Sequence, residues 1–427
     1  MDDSILKRWS GLTLGILGPA FLAIPIAQAE PVTITGILDN RFSDNALREP
    51  TNEQSDLETR LGVSFRHVTD PGRCNSSLDG RVGYSHWLDS SFDSRLYADA
   101  GFQGNCELTH GLDWALSDRL SDVRQDSRRP DVPDNTTRKN VFSTGPRYTL
   151  FLTQRDQLQF SLQYQNTEFE EPEQNDSDRV IGSAAWNHLF SSTLSAGVSA
   201  SSNQAELDTG VEIDRNTASI TFANSWPTTD LSGSLGVSEI ETTSGSGSQT
   251  SDGLVGDLSI NRQINPSADF FFTVSRELTD QTSDFDFQFG DFEFNLTETE
   301  AVEVTALSTG IAKLFSDGST VRASISASRT RYLTSEINED RIGLNVLGNR
   351  PLNSRVSMTS SLRLDHLNYE EDESEDSIIT FDVGVLYTLS RDLSLNARLG
   401  HERRSSDVPS REYQENWILV GLSYRFL

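Results

Sequence analysis

The chain has 427 residues, 35% of them hydrophobic, with a mean hydropathy of -0.45 and a formal charge of -29 from 64 acidic and 35 basic side chains. That charge argues against nucleic acid and against a polybasic lipid-binding surface. After the first 29 residues no stretch approaches the roughly 18 uninterrupted apolar residues a spanning helix needs, so a membrane-embedded form has to be a closed barrel, in which only alternate residues must be apolar. Lysine occurs only at Lys7, Lys139 and Lys313, so nearly all the positive charge is arginine. Arginine pairs bidentately with carboxylate, phosphate and lipid headgroups, which suits contacts with outer-membrane lipid and lipopolysaccharide and a salt-bridged lumen. General acidity in a salt-adapted organism gives the same balance.

Residues 1–29 read as a cleaved signal peptide. Lys7 and Arg8 make a basic start, an apolar run covers 11–26, and Ala27, Gln28 and Ala29 supply small residues around a cleavage point. The remainder, 30–427, reads as a single barrel, with no linker to divide it. Its two cysteines, Cys74 and Cys106, both fall near predicted periplasmic turns. An exported chain meets an oxidising compartment, so a disulfide between them is expected as a staple between turns; metal binding is not, because no histidine pair stands near them.

Strand-like segments then recur, divided by connections of two lengths. Short polar turns stand at 153–156, 190–192, 227–230, 265–267, 316–319 and 390–392. Longer acidic or Gly/Ser-rich connections fall between them at 170–178, 204–214, 242–252, 280–299, 369–376 and 403–411. Tight periplasmic turns alternating with long external loops are the mark of an up-and-down barrel. The polar, Arg/Asp/Pro-rich run 116–140 reads as one more external loop.

The strands themselves have two faces. In 157–165, Leu158, Phe160, Leu162 and Tyr164 point one way, while Gln157, Gln159, Ser161, Gln163 and Gln165 point the other. The wet face is Ser, Thr, Gln and Asn with arginines such as Arg322, Arg363, Arg398 and Arg425, which are candidates for the lumen or its constriction. The closing stretch 414–427 repeats the pattern, with Ile418, Val420, Leu422, Tyr424 and Phe426 on one face. Tyr424 and Phe426 are the expected assembly-signal strand, addressed to the barrel-assembly machinery. Counting back from it predicts a transmembrane, antiparallel, all-β barrel of about 20 strands (range about 16–20), the first near 31–41, with an even number so that both termini are periplasmic.

The early Leu38, Asp39 and Asn40, the segment 184–194 (AAWNHLFSSTL), and the closing run with Gly400, Arg403, Asp407, Tyr413, Glu415, Asn416, Leu422, Tyr424, Arg425 and Phe426 resemble the outer-membrane β-barrel proteins that accompany exopolysaccharide and exosortase (PEP-CTERM) gene clusters. The final Leu427 departs from the usual aromatic ending. The resemblance implies a place in the outer membrane of a Gram-negative bacterium, a role with a secreted polymer, and polysaccharide-export proteins as partners. It carries over no catalytic or ligand residues.

None of the six histidines, His67, His86, His110, His188, His366 and His401, has a second histidine at metal-ligand spacing. Ser361, Asp365 and His366 could be forced into a hydrolase triad, which keeps an outer-membrane lipid-modifying hydrolase as an alternative from another class. The acidic run 370–376 lacks the glycine and ligand periodicity of a calcium loop and reads as solvated. In 284–294 (DFDFQFGDFEF), Phe285, Phe287 and Phe289 alternate with acids, either extending a hairpin or folding into the lumen as a constriction. The expectation is therefore a channel or scaffold for polysaccharide export, with no enzyme activity and no cofactor; a general or solute-specific porin is the alternative within the same class.

Overall fold

The computed structural model describes residues 32–69, 72–170, 176–245, 247–283, 301–335 and 337–427. Residues 1–29, expected to be a signal peptide, and Phe285, Phe287 and Phe289 lie outside the described residues. Twenty strands follow one another: β1 Thr33–Ser43, β2 Asp56–Val68, β3 Cys74–Trp87, β4 Arg95–Thr109, β5 Leu112–Arg124, β6 Thr136–Phe151, β7 Asp156–Phe169, β8 Ser177–Leu189, β9 Leu194–Leu207 and β10 Glu212–Trp226 make the first half. The second half is β11 Thr229–Ser244, β12 Gly247–Asn265, β13 Ala268–Asp280, β14 Ala301–Leu314, β15 Thr320–Tyr332, β16 Asn338–Pro351, β17 Val356–Tyr369, β18 Ser374–Thr388, β19 Leu393–Ser406 and β20 Tyr413–Arg425.

Each strand pairs antiparallel with the next, and β20 returns to β1 in a register running from Thr35 opposite Arg425 to Ser43 opposite Trp417. The sheet is therefore a closed barrel without a free first or last edge. The seam is finished by the chain end. Phe426 N–H donates to the Ile34 carbonyl at 2.8 Å, Ile34 N–H donates to the Leu427 carbonyl at 3.2 Å, and the Phe426 ring packs over Gly36, where a Cβ would stand 2.8 Å from it.

Expected short turns are found at one end of the barrel, beside both ends of the described chain. Several connections at the other end are shorter than composition suggests, and their strands longer. Between β9 and β10 only 208–211 lie outside the strands, and β12 alone runs for 19 residues, well beyond the roughly 9–11 that cross a bilayer. Much of the stretches 204–214, 242–252 and 403–411 is hairpin extension beyond the bilayer, where ladder hydrogen bonds hold it whatever its polarity. For the same reason 116–140 is not one loop: Leu116 to Arg124 belong to β5, Thr136 to Asn140 to β6, and 125–135 connect them.

Side chains alternate as the period of two demands. Phe160, Leu162 and Tyr164 on β7, Leu235 and Val237 on β11, and Ile418, Val420, Leu422 and Tyr424 on β20 all point outward and are exposed. Such residues continue around the whole circumference. A continuous apolar belt of this size is stable only against hydrocarbon. Among the described residues no helix is long and apolar enough to cross a membrane, and the strands do the crossing.

Cys74 and Cys106 stand directly opposite each other on β3 and β4 and are joined as a disulfide. They lie within strands rather than in turns, on the outward face near the short-turn end, so the bond ties neighbouring strands together.

Candidate functional site: an occluded lumen

The inward faces are polar, as the alternation predicts, but they do not bound an open pore. On β7, Gln157, Gln159, Ser161 and Gln163 are half-exposed, whereas Gln165 and Thr167, farther toward the long-connection end, are 2% and 0% exposed. On β9, Ser199 and Ser201 are half-exposed, while Asn203, Ala205 and Leu207 above them are buried. The lumen is wet at the short-turn end and filled at the other.

The filling is the upper part of the β13–β14 hairpin. β13 pairs with β12 only as far as Arg276 opposite Gly256, although β12 continues to Gly247 against β11. Beyond Arg276 β13 parts from β12 and turns inward, still paired with β14 up to Asp280 opposite Ala301, while β14 keeps its pairing with β15 up to Val302 opposite Tyr332. There Leu278 and Ala301 bury against Leu207, Ile213, Ile240 and Val255, all lumenal residues of β9 to β12. Val302, Val304 and Tyr332 meet Val123 of β5 and Phe169 of β7. In a ring of twenty strands β14 and β5 face each other, so this contact spans the bore.

Charge fixes the hairpin in place. The Arg179 guanidinium of β8 donates to both Asp280 carboxylate oxygens at 2.7 and 2.8 Å, to Thr282 Oγ1 at 2.9 Å and to Asn203 Oδ1 at 2.9 Å, with Arg179 and Asp280 almost wholly buried. Lys139 of β6, 0% exposed, donates from Nζ to the Gln281 and Ser283 carbonyls at 3.1 and 2.7 Å. Thr167 donates to the Thr282 carbonyl at 2.8 Å, and Arg215 of β10 reaches Glu277 at 2.6 Å and the Leu278 carbonyl. Buried charges such as these persist only when paired, and every partner here comes from the hairpin or the wall that receives it.

A second closure comes from the other side. Residues 44–55 and 125–135, the first and third connections at this end, pack together through Ala46, Leu47 and Val132 around Trp87 and Phe92. Arg48 donates to Glu415 at 3.0 Å and to the Asp131 carbonyl at 2.9 Å. Burial pulls the Arg48 pKa down, but Glu402, Tyr413 and Glu415 more than restore it, and the guanidinium stays charged. Arg404 of β19 joins Asp376 and the Arg128 carbonyl, and Arg128 reaches Glu371. The acidic run 370–376 is thus not simply solvated: Glu371, Asp372 and Asp376 each hold an arginine. Burial pushes the Asp372 carboxyl up, yet hydrogen bonds from Ser374 and Arg411 outweigh it and keep it below the usual range.

The four arginines singled out from sequence all face the lumen but differ in state. Arg363 donates to Asp365 at 2.7 Å and Arg398 to Asp382 at 3.1 Å, so both are neutralised. Arg322 stacks over Phe271, 4.4 Å from the ring centroid, and Arg425 sits at the periplasmic rim. Ser361, Asp365 and His366 are not a triad. Ser361 and Asp365 point inward, Ser361 toward Asp382, while His366 points outward to Ser377 at 3.1 Å. Among the described residues no group of three or more His, Cys, Asp or Glu side chains could hold a metal ion.

An apolar outer belt, a closed even-stranded sheet and a polar interior decide the setting. The protein is a Gram-negative outer-membrane β-barrel. Residues 344–426 of this barrel match the sequence family described as "Putative beta-barrel porin 2". Curated proteins include none that matches. Solved structures similar to the barrel include the siderophore receptor PirA from Pseudomonas aeruginosa (12% identity, 93% of this chain and 80% of that one, TM-score 0.45). The FrpB iron transporter from Neisseria meningitidis is 7% identical over 93% of this chain and 82% of that one, with TM-score 0.47. A loop-deletion mutant of OmpT, an outer membrane protein of Vibrio cholerae, is 10% identical over 93% of this chain and 99% of that one, with TM-score 0.37.

Proposed function

We propose that the barrel is a gated, non-enzymatic channel through which an extracellular polysaccharide leaves the cell. The observation that carries this reading is the upper part of the β13–β14 hairpin, where β13 has parted from β12 at Arg276 to lie across the bore, held there by buried polar anchors and by apolar contact. A general porin works through a permanently open bore. Here the obstruction is a segment already parted from β12 and joined to the wall through β14 and β15, and a polymer advancing from the wet periplasmic end would meet it from below. The lumenal wall of β7 to β11, with Gln159, Gln163, Ser199, Thr217 and Ser234, offers hydroxyls and amides without deep charge traps, which suits a hydrated and weakly charged chain. Polysaccharide-export proteins on the periplasmic side are the partners this role calls for, and lipopolysaccharide surrounds the outer rim.

The test is conductance of the purified protein in a planar bilayer beside a variant in which residues 277–303 are replaced by a two-residue turn. Silence in the intact protein and steady conductance in the variant is the expected pair. Steady conductance in the intact protein would favour a solute-specific porin, and silence in both would remove the channel reading.

A further inference from the structure

We infer that Tyr97 and Trp417 are stacking stations for a saccharide inside the lumen, which rests on the channel reading and gives its solute a site. Both residues point inward, from β4 and β20, and both lie flat against the wall because the neighbouring strands carry glycine beneath them. Tyr97 crosses Gly83 and Gly62, which are paired with each other; a Cβ on either would stand 2.4 Å from its hydroxyl oxygen. Trp417 lies over Gly400, where a Cβ would stand 2.1 Å from the indole. The glycines do not relieve backbone strain here, since none of the three has positive φ. What they provide is depth, letting one face of each ring press on the wall while the residue stays half-exposed to the bore.

A ring held flat in an aqueous lumen presents the kind of surface that the C–H face of a pyranose covers, removing apolar area on both sides from water. Guanidinia approach over each ring from nearby strands without closing on its centre. Arg60 lies 5.9 Å from the Tyr97 centroid, and Arg41 and Arg398 lie 5.3 and 5.7 Å from that of Trp417. These guanidinia are balanced: Arg60 by Glu58, Arg41 by Glu415, and Arg398 by Asp382. A balanced site selects weakly by charge, so stacking and hydroxyl hydrogen bonding are left to choose the ligand, and a saccharide satisfies both. Phe271, a third lumenal ring flat over a glycine, Gly310, differs in degree: Arg322 sits over it much closer, at 4.4 Å from the centroid.

The experiment is isothermal titration of the purified full chain in detergent with cellohexaose, maltohexaose, chitohexaose and hexagalacturonate. At least one should bind. Trp417→Ala and Tyr97→Ala should each weaken binding about tenfold, the loss of one aromatic contact, while Trp417→Phe keeps most of it. Gly400→Ala retains the ring and lifts it from the wall, and should weaken binding as well. Trp226→Ala, on the outward face, should change nothing. If none of the four binds more tightly than about 10 mM, or if both alanine variants bind as the parent does, the inference is overturned. Binding without conductance even after hairpin removal would uphold the stations and remove the channel; conductance with no binding would do the reverse.

Discussion

Replacing Arg179 with methionine should open the barrel. The side chain keeps its length and its packing against β8, but Asp280 loses both hydrogen bonds from the guanidinium, and Thr282 and Asn203 lose one each. With Arg179 and Asp280 at 2% and 4% side-chain exposure, water cannot replace the lost partner while the hairpin stays docked. Removing one member of a buried pair costs about 3–5 kcal/mol. At about 1.4 kcal/mol per factor of ten, the undocked fraction should rise about a hundredfold to several thousandfold. Gln281, buried at 4% and with no hydrogen bond to its side-chain oxygen, is a quiet reporter position. In a Gln281→Cys background, where both native cysteines are already paired, the rate of labelling by a membrane-impermeant maleimide reads the undocked fraction directly. Arg179→Met should accelerate labelling and raise the frequency of open events in parallel. Equal labelling with and without Arg179 would mean that the ion pair does not hold the hairpin, and the gate argument would fail.

Lys139→Met should act in the same direction, since Nζ donates to two carbonyls of the same segment, and with Arg179→Met it should give less than the sum if the two anchors release together; double-mutant labelling rates check this. Cys74→Ser with Cys106→Ser should leave the barrel assembled but lower its unfolding temperature in detergent, by at most the roughly 3–4 kcal/mol that chain entropy assigns to a closure of 32 residues. Gly36→Leu should reduce the heat-resistant folded band on gels, because the new side chain occupies the place of the Phe426 ring at the β1–β20 seam. Asp372 has a folded-state pKa below its unfolded value, so its contribution is fully present above about 4 and is lost as pH falls through the lowered value. Hydrogen exchange at Ser374 and Glu375 should therefore be unchanged from pH 7 to 5 and faster, after correction for intrinsic rates, at pH 3. His366→Ala should leave any acyl hydrolysis untouched, since Ser361 lies on the other side of the wall from the imidazole.

The wall of this barrel was legible because one rule, alternation, is enforced by lipid on one side and water on the other. Gln157 to Gln165 and Ile418 to Phe426 each give the face of every residue correctly, and tight turns such as 190–193 and 389–392 give the strand count. Loop lengths are not legible in the same way because composition reports solvent, not backbone: Ser251, Asp252 and Gly253 are as polar as a loop and are paired strand. The stopper was harder to see. Arg179, Lys139 and Asp280 carry no motif, and their meeting depends on β13 leaving β12 at Arg276, a departure that no residue announces. Yet a signal was present on the receiving side. Ala205, Leu207, Ile213, Ile240 and Val255 are apolar at positions where alternation assigns the wet face, and they gather at the extracellular ends of β9 to β12. An apolar patch on a face that should be hydrated implies that something covers it. Lipid cannot reach it, so the cover has to be another part of the chain. The hairpin that supplies Leu278 and Ala301 is that part, and the same five residues would be left facing water whenever it moves aside. Opening is therefore opposed by apolar exposure as well as by the ion pair, and a polymer that keeps the channel open has to cover that patch in the hairpin's place.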